Sequence, residues 1–208
     1  MTKVNRIYVP AYKEDRLRYF QKYYNVLGLE TNIEITLILD DRYRTRESYD
    51  LSGIDFHKEI FWSSDIIADC RNLFTNKENY DRILKIYAPS LKMLVFIWLH
   101  KFKGIDKSML LDDDVLYLKP VDEAFQNDFM IKKEMLSRVS GSLASVFRKV
   151  WPDRVDDINT NLLNSGTIIY TYDESNGLIE DADSFFSSPE ILSELEAGYE
   201  KRLNVHRI

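Results

Sequence analysis

A short acidic segment between two apolar runs constrains the fold of this chain more than any other feature. Ser108–Leu111 is apolar enough for a buried strand, Asp112–Asp114 follows directly, and Val115–Leu118 is again apolar. Three adjacent carboxylates are unfavourable to bury, so they need an edge that water or a cation can reach. The segment therefore predicts a strand that ends at the rim of a sheet, with its acidic group at the carboxyl end.

The N-terminal part alternates strand-like and helical patterns. Arg6–Tyr12 and Ile33–Leu39 are strand-like, and Lys13–Leu27 between them carries apolar residues at helical spacing. This order predicts a βαβ unit, and with it an α/β fold whose mostly parallel central sheet is flanked by helices. The second strand ends in Asp40–Asp41, which we interpret as a solvated turn.

A long helical pattern fills the middle of the chain. Apolar residues keep a three-or-four step over residues 81–102. Pro89 is predicted to begin the second of two helices, because proline fits the first helical turn, and Gly104 is predicted to end it. Further elements are predicted by shorter patterns: strands at His57–Trp62 and Leu162–Thr171, and a helix at Ile191–Leu203.

Composition limits the class of protein. The 208 residues are 45% hydrophobic and 30% charged, which predicts one globular domain over residues 1–208. A net charge of −6 argues against general nucleic-acid binding. Cys70 is the single cysteine and is expected in the core, so no internal disulfide can form. With no signal peptide or transmembrane segment in the pattern, we expect a cytoplasmic protein.

The acidic segment suggests a metal site. Residues i and i+2 of an extended backbone point the same way, so Asp112 and Asp114 aim at one point and Asp113 points elsewhere. Carboxylates this close repel one another unless a cation joins them, and hard oxygen ligands suit Mg²⁺ or Mn²⁺. From the spacing alone, a solvated turn after the strand stays open as the alternative.

The longer string at residues 109–125 resembles the metal-binding segment of GT-A glycosyltransferases, above all family 8, the glycogenin and bacterial galactosyltransferase type. That segment runs from an apolar strand through Asp-x-Asp into a second strand with a Lys-Pro-hydrophobic-Asp-x-x-Phe ending, as in Lys119–Phe125. Asn159–Ile169 resembles the family's Asn-Ser-Gly strand, and Ser90–Leu94 resembles the helix whose lysine reaches the donor. The resemblance extends over residues 6–171.

The resemblance implies a Rossmann-like GT-A fold and a transferase that uses a nucleotide-diphosphate sugar. The donor would be a UDP-sugar, the cofactor Mn²⁺ or Mg²⁺, and the acceptor a glycan, protein or small molecule. Asp112, Asp114 and His206 would hold the metal, with Asp114 and Asn164 in the catalytic site. His206 lies closer to Asn164 than in family members, so the chain is expected to be minimal or truncated at its C-terminus; a terminal histidine without a metal is the alternative.

The donor nucleotide-sugar would contact the remaining matched residues. In GT-A folds the end of the first strand holds the nucleotide base, which here implies Tyr8, Pro10 and Ala11. Lys92, the only charged side chain between Pro89 and His100, would reach the donor phosphates, and Asp113 would contact the donor or a positive side chain.

Two other functions fit parts of the same pattern. A haloacid-dehalogenase-like phosphatase also places Asp-x-Asp after an apolar strand, but near the N-terminus and with Thr or Val where this chain has Leu116. A degenerate GT-A domain that binds a nucleotide or a partner protein without turnover is consistent with the short C-terminal part.

Overall fold

The computed structural model describes residues 5–27, 33–113, 129–133, 150, 152 and 163–205. The strands in this part of the chain are β1 Asn5–Ala11, β2 Ile33–Leu39, β3 Glu59–Trp62, β4 Lys107–Leu111, β5 Phe129–Lys133 and β6 Leu163–Thr171. The α-helices are α1 Glu14–Leu27, α2 Ser63–Cys70, α3 Lys77–Ile86, α4 Ser90–Lys103, α5 Leu178–Ser187 and α6 Pro189–Val205. None of these helices combines the length and the apolar character that crossing a membrane requires.

The described strands form one sheet in the order β3-β2-β1-β4-β6-β5. Strands β3, β2, β1 and β4 run parallel to one another, and β1 pairs with β2 over its whole length. Strand β6 runs antiparallel to both β4 and β5. The predicted α/β class with a mostly parallel central sheet flanked by helices is therefore confirmed.

The direction of the chain across the sheet reverses beside β1. From β1 the chain adds β2 and β3 on one side, then returns and adds β4 on the other side of β1. Helix α1 packs on one face of the sheet, and α4 packs on the opposite face. In open α/β sheets the connections diverge at such a switch point and leave a crevice beyond the carboxyl ends of the strands.

Two apolar clusters cover the two faces of the sheet. Alternation along β1 sends Ile7 and Val9 toward Leu17 and Phe20 of α1, and sends Tyr8 toward the cluster that contains α4. Leu17 and Phe20 of the apolar face predicted for α1 are therefore confirmed as core residues. Cys70 is fully buried in the α4 cluster, as predicted.

The predicted pair of helices around Pro89 is also confirmed. Helix α3 ends at Ile86, and Pro89 is the N-cap of α4 at a φ of −58°. Gly104 ends α4 with a φ of 63°, a left-handed conformation that favours glycine, and its N–H donates to the carbonyl of His100. Because α4 is buried along most of its length, its first turn is held firmly at the crevice.

Glu14, the first residue of α1, connects this helix to the loop after β2. Its carboxylate accepts hydrogen bonds from Nη1 and Nη2 of Arg44, at 3.0 and 2.7 Å, and from the N–H of Asp50 at 3.1 Å. The hydrogen bonds from Arg44 lower the pKa of Glu14 to about 2.

Glu14→Gln is expected to lower the free energy of unfolding by about 1 kcal/mol at neutral pH, because an amide makes a weaker pair with the guanidinium. The depressed pKa means that this contribution is fully present above the ordinary value of 4.5 and is lost as the pH falls toward about 2. Denaturant unfolding of both proteins from pH 7 down to about pH 2.5 measures the difference. A difference that stays constant over this range would contradict the assignment.

Candidate functional site

A cavity of about 240 Å³ lies at the carboxyl edge of β1, β2 and β4, in the crevice that the strand order creates. Its wall is formed by the ends of β1 and β2, the start of α4 and the residues directly after β4. Six of the lining side chains are charged, with three of each sign: Arg16, Arg42, Lys92, Asp40, Asp112 and Asp113.

Five of the residues predicted for the site line this cavity. Pro10 and Ala11 come from the end of β1, Lys92 from the first turn of α4, and Asp112 and Asp113 from the segment after β4. The fold thus brings together three separate parts of the sequence that we predicted to meet around one donor.

Asp112 is paired with the lysine of α4. Nζ of Lys92 lies 2.7 Å from Oδ1 and 2.7 Å from Oδ2 of Asp112. The side chains are 17% and 28% exposed, respectively, so the pair is partly withdrawn from water but still open to the cavity. The chain itself therefore supplies the positive charge that balances this carboxylate.

Asp113 turns toward α1 instead. Its side chain is only 3% exposed, and its Oδ1 lies 3.3 Å from Nη1 of Arg16. The guanidinium of Arg16 also lies over the ring of Tyr12, 5.3 Å from the centroid. A contact with the donor or with a positive side chain was predicted for Asp113, and the positive side chain is Arg16. Asp112 and Asp113 thus each have a counter-ion on a different helix. The repulsion predicted between Asp112 and Asp114 stays a prediction, because Asp114 lies outside the described residues.

Asp40 belongs to a buried network rather than to a solvated turn. It accepts hydrogen bonds from Nε and Nη2 of Arg42, at 2.8 and 2.5 Å, and from Oγ of Ser63 at 3.0 Å. Nη1 of Arg42 donates to the carbonyl of Leu84 at 2.6 Å. Burial acts to raise the pKa of Asp40, but the hydrogen bonds and charge of Arg42 outweigh it and hold the pKa below its usual range.

Asp41 is likewise held in place. It accepts hydrogen bonds from the N–H and Oγ of Ser64, at 2.8 and 2.6 Å, and from Nε of Arg46 at 2.8 Å. The solvated turn predicted here is wrong because the start of α2 packs its serines against the end of β2. This network fixes the wall of the cavity that Asp40 and Arg42 form.

Tyr8 lies in the core and does not line the cavity. Its side chain is 1% exposed and its ring stacks on Phe61, with 6.3 Å between the centroids. Burial raises the pKa of Tyr8 to about 12, so the phenol stays protonated at neutral pH. The structure therefore does not bring Tyr8, for which a contact with the nucleotide base was implied, to the cavity where the other predicted residues meet.

Two predicted site residues, Asp114 and His206, lie outside the described residues. Of Asn164 the backbone is described: it belongs to β6, opposite Lys132 of β5. Because Thr167 pairs with Leu111, the last residue of β4, Asn164 lies beyond that end of β4, at the edge of the sheet where the cavity opens.

A metal ion is implied by the resemblance but has only part of its ligand set within the described residues. There, no group of three or more His, Cys, Asp or Glu side chains is arranged to hold a metal. Asp112 offers carboxylate oxygens at the cavity, which fit a hard cation such as Mn²⁺ or Mg²⁺. The remaining predicted ligands are Asp114 and His206.

Sequence reasoning missed Tyr12, Arg16 and Arg42 of the cavity. Arg16 has no signature in its spacing, since Arg18 on the same helix binds Asp50 at the surface instead. Arg42 carried a usable signal, because it follows directly on the acidic end of a predicted strand at the edge where ligands bind.

Comparisons with known proteins extend only to solved structures, since no protein-family model and no curated sequence matches the chain. Mouse xyloside xylosyltransferase 1, in its apo form, is similar with 14% identity and a TM-score of 0.43, over 98% of this chain and 75% of that one. The galactosyltransferase LgtC with donor and acceptor sugar analogs is similar with 12% identity and a TM-score of 0.44, over 94% and 65%. An active-site mutant of LgtC is similar with 14% identity and a TM-score of 0.45, over 91% and 69%.

The chain therefore spans 65% to 75% of the length of these glycosyltransferases. At TM-scores below 0.5 these similarities establish neither a family nor a substrate for this chain.

Proposed function

We propose that this protein is a metal-dependent glycosyltransferase of the GT-A type, which moves a sugar from a UDP-sugar to an acceptor. One observation carries the proposal: Asp112 and Asp113 follow β4 at the switch point beside β1 and border a cavity that also holds Lys92 and Arg16. Open α/β sheets bind nucleotides at such a point. The acidic segment is also the part of the sequence that resembles the GT-A metal-binding motif.

The charged residues of the cavity suit a diphosphate leaving group. In the proposed reaction the bond between the anomeric carbon and the diphosphate oxygen breaks, and the acceptor oxygen bonds to that carbon as it loses its proton. Lys92 and Arg16 stabilise the negative charge that develops on the diphosphate. A Mn²⁺ or Mg²⁺ ion held by Asp112, Asp114 and His206 would supply further positive charge there.

The other predicted residues orient the donor. Pro10 and Ala11 form the part of the wall at the end of β1 and would lie against the base. Asn164 would hydrogen-bond a sugar hydroxyl from its position at the edge of β6. The phosphatase alternative places its motif near the N-terminus, whereas here the motif follows β4.

UDP is expected to bind at least about tenfold more tightly with Mn²⁺ than with EDTA, because diphosphate and carboxylates repel each other until a cation lies between them. Isothermal titration calorimetry under both conditions measures this. Uridine, which lacks the diphosphate, is the matched control, and its affinity should not respond to EDTA. Equal affinity for UDP in both conditions would argue against a metal-bridged donor.

Turnover separates the proposal from its alternatives. We expect Mn²⁺-dependent hydrolysis of at least one common UDP-sugar, since water can replace the acceptor. Binding of UDP without any such hydrolysis would favour the degenerate, non-catalytic domain. Release of phosphate from an aryl phosphate would favour the phosphatase.

A further inference from the structure

Asp112 is in contact with a cation of the chain at both of its oxygens. Nζ of Lys92 lies 2.7 Å from each of them, and the two residues are 20 positions apart in sequence. Because the pair is mostly withdrawn from water, its attraction is less screened than that of a surface salt bridge. A metal ion that used Asp112 as a ligand would have to share these oxygens with the ammonium group.

We propose that Lys92 is a resident counter-ion that competes with the divalent metal for Asp112, so that metal and donor bind with positive coupling. The inference rests on the proposed function, which supplies a diphosphate as the second ligand. A metal that arrives alone meets a carboxylate whose charge is already balanced, and it brings two positive charges close to the ammonium. A diphosphate offers the ammonium another anionic partner in the same cavity and leaves Asp112 to the metal.

The coupling is reciprocal. The donor tightens metal binding by the same factor by which the metal tightens donor binding. Lys92 is then a positioning residue for the metal and a contact for the donor, and the cavity holds the metal firmly only when the donor is present.

The second carboxylate has a similar partner, but the competition is assigned to Lys92. Nη1 of Arg16 is 3.3 Å from Asp113, and the side chain of Arg16 is 39% exposed. Asp113 itself is buried, with a side chain only 3% exposed. The Lys92–Asp112 pair is shorter and lies on the more accessible carboxylate, where a metal can reach it.

Titration of Mn²⁺ alone, without nucleotide, tests the competition directly. Lys92→Met is expected to bind Mn²⁺ about tenfold more tightly than the wild type, because Asp112 loses its competing cation. Lys92→Arg keeps the positive charge and is expected to bind Mn²⁺ like the wild type. Lys101→Met is the matched control: it removes a lysine whose Nζ lies 3.0 Å from Glu174, outside the cavity, and should leave Mn²⁺ binding unchanged.

UDP titrated at saturating Mn²⁺ gives the second readout. Lys92→Met is expected to bind UDP more weakly than the wild type, so one substitution strengthens metal binding and weakens donor binding. A purely structural role for Lys92 would weaken both. Lys92→Gln, which keeps a polar group in this partly buried position, repeats both titrations if the melting temperature of Lys92→Met is lowered.

The outcomes distinguish the inference from the proposed function. If a folded Lys92→Met or Lys92→Gln variant binds Mn²⁺ alone no more tightly than the wild type, the competition is overturned, whatever UDP does. If the wild type fails to bind UDP with Mn²⁺, the proposed function is overturned, and the titration of Mn²⁺ alone still decides whether Lys92 competes for Asp112.

Discussion

Asp112→Asn is expected to weaken UDP binding in the presence of Mn²⁺ by about a hundredfold, equivalent to about 2.7 kcal/mol. Asp114→Asn is expected to have a similar effect. In the proposed site each change turns a charged oxygen ligand into a neutral amide, which a hard divalent cation binds far less well. The transferase or hydrolase activity should fall with donor binding, because the leaving diphosphate loses the same charge.

Asp113→Asn is the matched control for these two variants. Its side chain is buried against Arg16 and only 3% exposed, so Mn²⁺-dependent UDP binding should change least. Repulsion among clustered carboxylates would make Asp113→Asn stabilising, but we expect this substitution to be destabilising. Because Asp113 is buried beside a guanidinium, Asp113→Asn is expected to lower the free energy of unfolding by about 1 kcal/mol rather than to relieve repulsion.

Calorimetry with UDP and Mn²⁺, together with melting temperatures measured in chelator, checks all three variants. If Asp113→Asn harms Mn²⁺-dependent binding most, the extended geometry that turns Asp113 away from Asp112 and Asp114 is wrong. If all three variants bind UDP like the wild type, the acidic segment holds no metal, and the proposed function loses its chemical basis.

The elements that were predicted well are those with long, regular patterns. Strand β2 was predicted at Ile33–Leu39 and has those bounds, and α1 begins one residue after its predicted start. Helix α2 was missed: it has eight residues and begins directly after β3, so no repeat of helical spacing could develop. The antiparallel direction of β6 was not predicted either, since an alternating or apolar strand pattern is the same in both directions.

The site was predictable as a set of residues but not as a set of contacts. Asp112 and Lys92 were assigned to one donor because each lies in a motif that resembles the same family. Their contact depends on how the buried helix α4 approaches the end of β4, which no local pattern records. The network of Asp40 and Asp41 was misjudged for the same reason, because its donors come from α2 and from the turn itself.

A large effect on stability, without one on donor binding, is expected from Phe186→Ala. Phe186 lies in α5 and is fully buried, with ring centroids 5.0 Å from Phe74 and 4.8 Å from Tyr80. Removing the ring leaves a cavity between α3 and α5 that the surrounding side chains fill only in part. We therefore expect a loss of about 3 to 5 kcal/mol in the free energy of unfolding and a melting temperature lower by about 10 °C.

Phe102→Ala is the control, since this phenylalanine is 45% exposed at the end of α4, and its loss should change stability by less than about 0.5 kcal/mol. Phe186 does not line the cavity, so below its melting transition Phe186→Ala should bind UDP with Mn²⁺ like the wild type. Thermal denaturation measures the change in stability, and a separate titration calorimetry experiment below the melting transition measures UDP affinity. A melting temperature unchanged in Phe186→Ala would contradict this packing of α5. Reduced UDP affinity in folded Phe186→Ala would show that the cavity depends on the packing of α5. Asp112→Asn is expected to behave in the opposite way and to lose UDP affinity, which would show that binding depends on the charge that lines the cavity.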